Sequence, residues 1–275
     1  MKPAPFTYTA AKSSAAALEA LSGATPPRIL AGGQSLVPML NLRLAPADAV
    51  LDVTRIPDLR RIEVGQNSIR YGALTTHAAF EDGVVPDAAN GLMQHVASRI
   101  AYRAVRCRGT IGGALALADP AADWLTAVIA LEGTVHIVSN AGRRSVPAQE
   151  FVLGPYFTVL TDSDLIEAIE IPKRPATERW GYHKVVVKVG EYAESMAMTL
   201  LDETRSFARV VLGAIDGAPL VLEGTASAAL RAPSDKELAD AVRRELVASG
   251  RDFSPAQLIL HSTTVLRSIK DAASK

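Results

Sequence analysis

Two glycine doublets far apart in the chain carry the residues whose types and spacing could do chemistry: Ala31-Gly32-Gly33-Gln34-Ser35 and Thr110-Ile111-Gly112-Gly113-Ala114. A residue without a Cβ takes positive φ easily and lets the backbone approach a ligand, so two in succession can turn consecutive amide N–H groups onto an anion. Each doublet is joined to a Ser or Thr hydroxyl and leads into a segment that reads as helical, where helix-start amides add partial positive charge. One such turn is ordinary; the pair points to a diphosphate held between two lobes, and so to a dinucleotide. The Gly-x-Gly-x-x-Gly fingerprint and the Walker Gly-Lys-Ser/Thr motif are both absent, which argues against a Rossmann site and a P-loop.

The remaining polar candidates are weaker. Asp119 and Asp123 flank a segment that reads as a proline-started helix, an ordinary setting for an acid. In Tyr182-His183-Lys184-Val185-Val186 the alternation of a strand sends Tyr182, Lys184 and Val186 to one face. His77 and Glu81 stand four apart without a third ligand at a recognisable spacing, so no metal site is expected. Arg99, Arg103, Arg106 and Arg108 read as a solvated helix face that could also meet a partner or the diphosphate. Ser35 lacks a Gly-x-Ser-x-Gly elbow and triad partners. The one cysteine, Cys107, reads as an inert packing residue, and with it alone the chain can hold neither an internal disulfide nor a cysteine-ligated iron–sulfur cluster.

Lys plus Arg balance Asp plus Glu at 29 each, so no overall field favours nucleic acid. At 275 residues and 48% hydrophobic, the chain has the composition of a globular protein of two compact domains or one large divided one. No apolar leader opens the sequence and no long apolar run occurs, so a cytoplasmic protein without membrane insertion is expected.

The elements that must position the two turns follow from local pattern. The alanine-rich stretch Ala10 to Leu21 predicts a helix, Arg28 to Leu30 and Ala49 to Val53 predict strands, and the β-α-β order forms a first lobe. Ile62 to Gly65 and Ser68 to Gly72 alternate as a hairpin. A helix is capped near Thr75 or Thr76, a longer one covers Ala89 to Ala104, and another runs from Ala121 to Leu131. A hairpin at Val135 to Val146 and a strand at Leu165 to Ile171 close the central lobe, and Pro172 to Thr177 reads as a linker. Beyond it come strands at Trp180 to Val189, Met196 to Leu201 and Phe207 to Ile215. Two helices end the chain, one opened by the capping box Ser234 to Glu237 and one starting at Pro255.

Together with Gly72-Ala73-Leu74-Thr75-Thr76-His77, Asp119-Pro120-Ala121-Ala122-Asp123, Ile169-Glu170-Ile171-Pro172 and Tyr182-His183-Lys184, the two turns resemble, over almost the whole length, the FAD-binding medium subunit of the molybdenum hydroxylases. That is the xanthine dehydrogenase and carbon monoxide dehydrogenase family, whose medium subunits carry AGGQS and TIGGN turns. The resemblance implies an α+β protein: a two-lobed, vanillyl-alcohol-oxidase-like (PCMH-type) FAD-binding domain over residues 1–173, with an N-terminal lobe to about 56 and a central lobe beyond it. A C-terminal α+β domain of the carbon monoxide dehydrogenase flavoprotein type covers 178–275.

It further implies that Ile29, Leu30, Ala31, Gly32, Gly33, Gln34, Ser35 and Leu36 hold FAD along the first turn. Thr110, Gly112, Gly113, Ala114 and Leu117 do so along the second. Asp123 falls on a flavin-contacting acid, Ile166 lies against the isoalloxazine ring, Lys184 approaches it, and Tyr192 covers one face. A lysine beside the N1 and carbonyl edge would stabilise the reduced ring. No residue is expected to act as a catalytic group. Ala114 departs from the usual Asn, and Glu194 to Met198 from the usual small residues.

The implied work is electron transfer from [2Fe–2S] clusters on a small partner subunit to NAD, a quinone, oxygen or another acceptor. A large molybdopterin subunit would complete a heterotrimer, commonly paired as a dimer of heterotrimers. A free-standing FAD oxidase or reductase of the same fold, and a scaffold with weak FAD binding, are the alternatives.

Overall fold

The computed structural model describes residues 2–231 and 234–275. The chain begins with β1 (Thr7–Ala10), α1 (Ser14–Leu21), β2 (Arg28–Leu30), α2 (Leu36–Asn41) and β3 (Ala49–Asp52). These strands form a parallel sheet in the order β1-β3-β2, with Val50 opposite both Tyr8 and Arg28. The helix expected from Ala10 starts four residues later. Ala10 pairs with Asp52 in the sheet, and the Ser13 hydroxyl accepts from the Ala16 amide to cap α1. Strand pairing here overrides the helix preference of alanine.

The central lobe runs β4 (Ile62–Val64), β5 (Ser68–Gly72), α3 (His77–Glu81), α4 (Leu92–Ser98), α5 (Arg103–Arg106), α6 (Ile111–Leu117) and α7 (Asp123–Ala130). It continues with β6 (Thr134–Ser139), β7 (Gly142–Pro147), α8 (Ala148–Phe151), β8 (Val152–Gly154), β9 (Phe157–Thr158) and β10 (Leu165–Pro172). An antiparallel sheet β4-β5-β10-β6-β7 carries a bulge between Ile166 and Ala168. α7 is buried along its whole length. The long helix expected over Ala89 to Ala104 is broken. Asn90 and Gly91 take positive φ before α4, Ala101 takes φ 40° after it, and the Arg106 guanidinium donates to the Ile100 and Ala101 carbonyls that the break exposes. α7 likewise begins at Asp123 rather than after Pro120, because Asp119 binds the Ala121 amide and Ala122 stays extended. Cys107 is exposed rather than packed.

The last part holds β11 (Arg179–Val185), β12 (Ser195–Asp202), β13 (Phe207–Gly213), β14 (Leu220–Val221), α9 (Glu223–Ala229), α10 (Asp235–Ala248) and α11 (Pro255–Ala273). The antiparallel sheet β11-β12-β13-β14 lies between α7 on one face and α10 and α11 on the other. Every residue of β12 is therefore buried. Met198, Leu200 and Val211 join the core of Trp124 and Val128, whereas Ala197, Val210 and Leu212 meet Val242, Val265 and Ile269. A Cβ at Gly181 would sit 2.7 Å from the Ala272 amide nitrogen, so glycine lets α11 lie directly on β11. α9 is an addition to the two helices expected. The Glu245 carboxylate of α10 accepts from the amides of Gly224 and Thr225, a cap supplied from another helix. No helix among the described residues is long and apolar enough to cross a membrane.

Asp164, just before β10, joins the edge of the sheet to this framework: it receives two bonds of 2.7 Å from Arg144 and further ones from the amide and hydroxyl of Thr161. Burial works against its charge, but Arg144 and Thr161 outweigh that and lower its pKa. A carboxyl with a lowered folded pKa stabilises the fold above its unfolded value, about 3.9, and loses that contribution as pH falls through the folded value. Acid unfolding monitored by circular dichroism should therefore show a component below about pH 4 that Asp164→Asn removes, with the variant already less stable at pH 7.

Candidate cofactor site

The first turn leaves β2 at Leu30 and enters α2 at Leu36. Gly33 has φ 73°, a conformation that disfavours side chains. The amides of Gly32, Gly33, Gln34, Ser35 and Leu36 have no acceptor among the described residues. Five consecutive unpaired donors at a bend form a concave nest for an anion. The Leu30 side chain lies beneath Gly33, 3.3 Å from where a Cβ would be.

The second segment is built differently from the first. Gly112 and Gly113 lie inside the first turn of α6 and keep negative φ, with Thr110 as N-cap accepting from the Gly113 amide at 3.1 Å. The amides of Ile111 and Gly112 bond to the carbonyls of Thr75 and Ala73. The expectation that both doublets turn amides onto the diphosphate is thus corrected: in the second, glycine serves close approach. A Cβ on Gly112 would lie 2.5 Å from the Ala73 Cβ.

The two turns meet. A Cβ on Gly32 would fall 2.7 Å from the Arg108 carbonyl carbon and 2.9 Å from the Gly109 Cα, and one on Gly113 would lie 3.6 Å from the Ala31 Cβ. They share a cleft of about 740 Å³, within the range of cofactor sites. Its walls include Ile29, Ala31, Gly32, Gly33, Gln34, Ser35 and Leu36 from the first segment and Thr110, Gly112, Gly113, Ala114 and Leu117 from the second. Asp123, Ile166, Lys184 and Tyr192 also line it, whereas Leu30 does not. Ile166 stands at the β10 bulge, and Tyr192 is 64% exposed at the mouth.

At one end Lys184 places its Nζ 2.9 Å from both oxygens of Asp123 and 3.3 Å from the Arg99 carbonyl. The Tyr182 hydroxyl donates to Asp123 Oδ1 at 2.5 Å. The pair is buried, with side chains 4% and 6% exposed. Burial beside Asp123 pushes the Tyr182 phenol far above its ordinary range, so it remains a donor. Alternation along β11 puts Tyr182 and Lys184 on the α7 side, as their sequence spacing requires. Lys184 is therefore matched by Asp123 and is not a free cation.

Other residues of the cleft escaped sequence reading. The Tyr156 hydroxyl, on a residue at φ 55°, donates to Asp119 Oδ2 at 3.1 Å, and the Tyr102 ring packs closely on Gly190 in the loop that carries Tyr192. Both sit in irregular backbone, where no periodicity marks them. His77 and Glu81 have separate partners: Trp124 Nε1 donates to His77 Nδ1 at 2.9 Å, and Glu81 pairs with Arg103 and Arg106. Of the arginine cluster, Arg103 and Arg106 are thereby tied to α3, while Arg99 and Arg108 are exposed.

Residues 4–174 match the family described as FAD binding domain in molybdopterin dehydrogenase. The carbon monoxide dehydrogenase medium chain of Hydrogenophaga pseudoflava is 33% identical over 252 residues, 90% of this chain and 88% of that one. The chain belongs to this family of molybdenum-hydroxylase flavoprotein subunits. The glyceraldehyde dehydrogenase medium chain of Sulfolobus acidocaldarius is 38% identical over 193 residues, 70% of this chain and 68% of its own. A chain of the solved carbon monoxide dehydrogenase from H. pseudoflava, a form lacking the Mo-pyranopterin moiety of the molybdenum cofactor, superimposes with a TM-score of 0.91 at 30% identity. That match covers 100% of this chain and 99% of the other. The α+β, PCMH-type FAD-binding fold follows, and with it an oxidoreductase subunit.

Removing one member of the Asp123–Lys184 pair leaves the other charge buried and unmatched. Lys184→Met should lower unfolding free energy by about 3–5 kcal/mol, read by urea denaturation, and Asp123→Asn combined with Lys184→Met should lose clearly less.

Proposed function

We propose that this chain binds FAD in the cleft between its first two lobes and serves as the electron-transfer subunit of a molybdenum hydroxylase. The observation that carries the reading is the run of unpaired amides from Gly32 to Leu36, facing a cleft whose opposite wall at Gly112, Gly113 and Ala114 has almost no side-chain bulk. Anion binding by neutral backbone dipoles fits a diphosphate without a matching cluster of Lys or Arg in the cleft. Bound FAD supplies the electron chemistry.

The chain's own groups hold and orient. Ile29, Ala31, Gln34, Ser35, Thr110 and Leu117 border the diphosphate region, with Leu30 supporting the turn from below. Ile166 and Tyr192 would confine the ring, and Asp123, held by Lys184 and Tyr182, fixes a polar wall beside it. Because Lys184 is paired, its influence on the ring is that of an oriented ion-pair dipole, weaker than a bare positive charge would give.

Partners follow from the same reading. With one cysteine the chain cannot ligate an iron–sulfur cluster by itself, so electrons would arrive from [2Fe–2S] clusters on a small subunit. A large subunit would hold the molybdopterin cofactor, the whole forming a dimer of heterotrimers with NAD, a quinone or oxygen as acceptor. The proposed division places the FAD-binding domain before residue 174 and the C-terminal flavoprotein domain from 178. The cytoplasm, where a free thiol such as Cys107 stays reduced, is the proposed setting.

Isolation of the complex tests this: the chain should carry a bound-flavin spectrum, copurify with two further polypeptides, and have its flavin bleached by the complex's substrate. Gly33→Val strains a positive φ and crowds Val37 and Leu30, while Gly113→Val intrudes toward Thr110 and Ala31. Both variants should lose flavin on gel filtration; full occupancy in both would overturn the assignment.

A further inference from the structure

We propose that His77 is a further ligand of the bound dinucleotide, donating a hydrogen bond from its Nε2–H to an oxygen acceptor of the cofactor. The inference rests on the FAD reading above and adds a residue that neither glycine turn contains. His77 opens α3, its own amide donates to the Gly109 carbonyl at 2.9 Å, and its side chain is 5% exposed. The imidazole is oriented from behind: the Trp124 indole can only donate, so Nδ1 must accept and the ring proton must sit on Nε2. Burial, with Arg106 nearby, lowers the ring's pKa to about 4, so it is a neutral donor at physiological pH.

Nothing among the described residues accepts from that Nε2. A polar group left unpaired away from water is destabilising. Thr126 Oγ1, Arg174 Nε and Glu178 Oε2 are sealed in this way, but His77 Nε2 is not among them. Its edge opens on the cleft, which His77 lines together with Gly109, Thr110 and Gly112. Glycine at 109 leaves that edge uncovered, since a Cβ there would lie 2.6 Å from Nε2 and 2.7 Å from Cδ2. A neutral, pre-oriented donor between the two glycine segments suits a phosphoryl oxygen or a carbonyl oxygen of the ring. Either can be bound without the desolvation cost of a charged imidazolium.

The test uses the isolated complex, stripped of flavin and titrated with FAD under fluorescence detection. His77→Phe keeps the ring and removes the donor, and should weaken FAD about tenfold. His77→Gln can accept from Trp124 and still donate, and should stay within about threefold of the parent. Titration with ADP separates the two acceptors. A phosphoryl contact weakens ADP in His77→Phe by the same factor as FAD; a ring carbonyl contact leaves ADP unchanged and shifts the visible flavin band. Parental FAD affinity in His77→Phe, or equal losses in the Phe and Gln variants, overturns the assignment while the FAD reading stands. A parent complex that takes up no FAD overturns both.

Discussion

The close approach of Gly32 to the backbone of Arg108 and Gly109 is the constraint on which the site depends. It is a contact that only hydrogen in place of a Cβ permits, with the would-be Cβ 2.7 Å from the Arg108 carbonyl carbon. Through it the parallel sheet of the first lobe docks on the loop that opens α6, and the two glycine segments come to share one cleft. A side chain at Gly32 would wedge the lobes apart at the point where the two glycine segments meet.

Once the lobes are held in this way, their two glycine doublets have different work. The first leaves its donors unpaired around the bend at Gly33, in a segment that lines the cleft. The second is pinned: Ile111 and Gly112 donate to Thr75 and Ala73, and Thr110 caps its own helix. One side of the cleft is thus an anion nest and the other a smooth, rigid wall. This division suits a long ligand, whose phosphates need donors on one side and clearance on the other.

The third sheet belongs to the site through α7. That helix is buried on every face because the central core covers one side and β12 and β13 the other. Its first residue, Asp123, faces the cleft and is matched by Lys184 and Tyr182 from β11. A buried ion pair adds little net stability against an apolar replacement, yet it is costly to halve. What it provides here is a fixed polar group at one end of the cleft, with its charge balanced and its geometry set by three side chains on two elements.

The amino-acid sequence by itself determined the local features whose causes are local. These include the glycine bend at Gly33, the caps near Thr76 and at Ser234, the alternation that puts Tyr182 with Lys184, and the strands of the three larger sheets except β1 and the short β14; the two-stranded sheet of β8 and β9 was not foreseen. The motifs around both turns were enough to identify the family and to name the two glycine segments that line the cleft. Tertiary structure decided whatever depends on residues distant in sequence. Ala10 is a strand residue because Asp52 pairs with it, the helix after Ala89 breaks where Arg106 satisfies the freed carbonyls, and α9 starts where Glu245 caps it. The fates of the amides were equally hidden: the two doublets look alike in sequence, but in the second the Thr75 and Ala73 carbonyls take the Ile111 and Gly112 amides and the Thr110 hydroxyl takes that of Gly113, so none is left for a ligand. Backbone donors are the same at every position, so which of them remain free is settled by what folds against them.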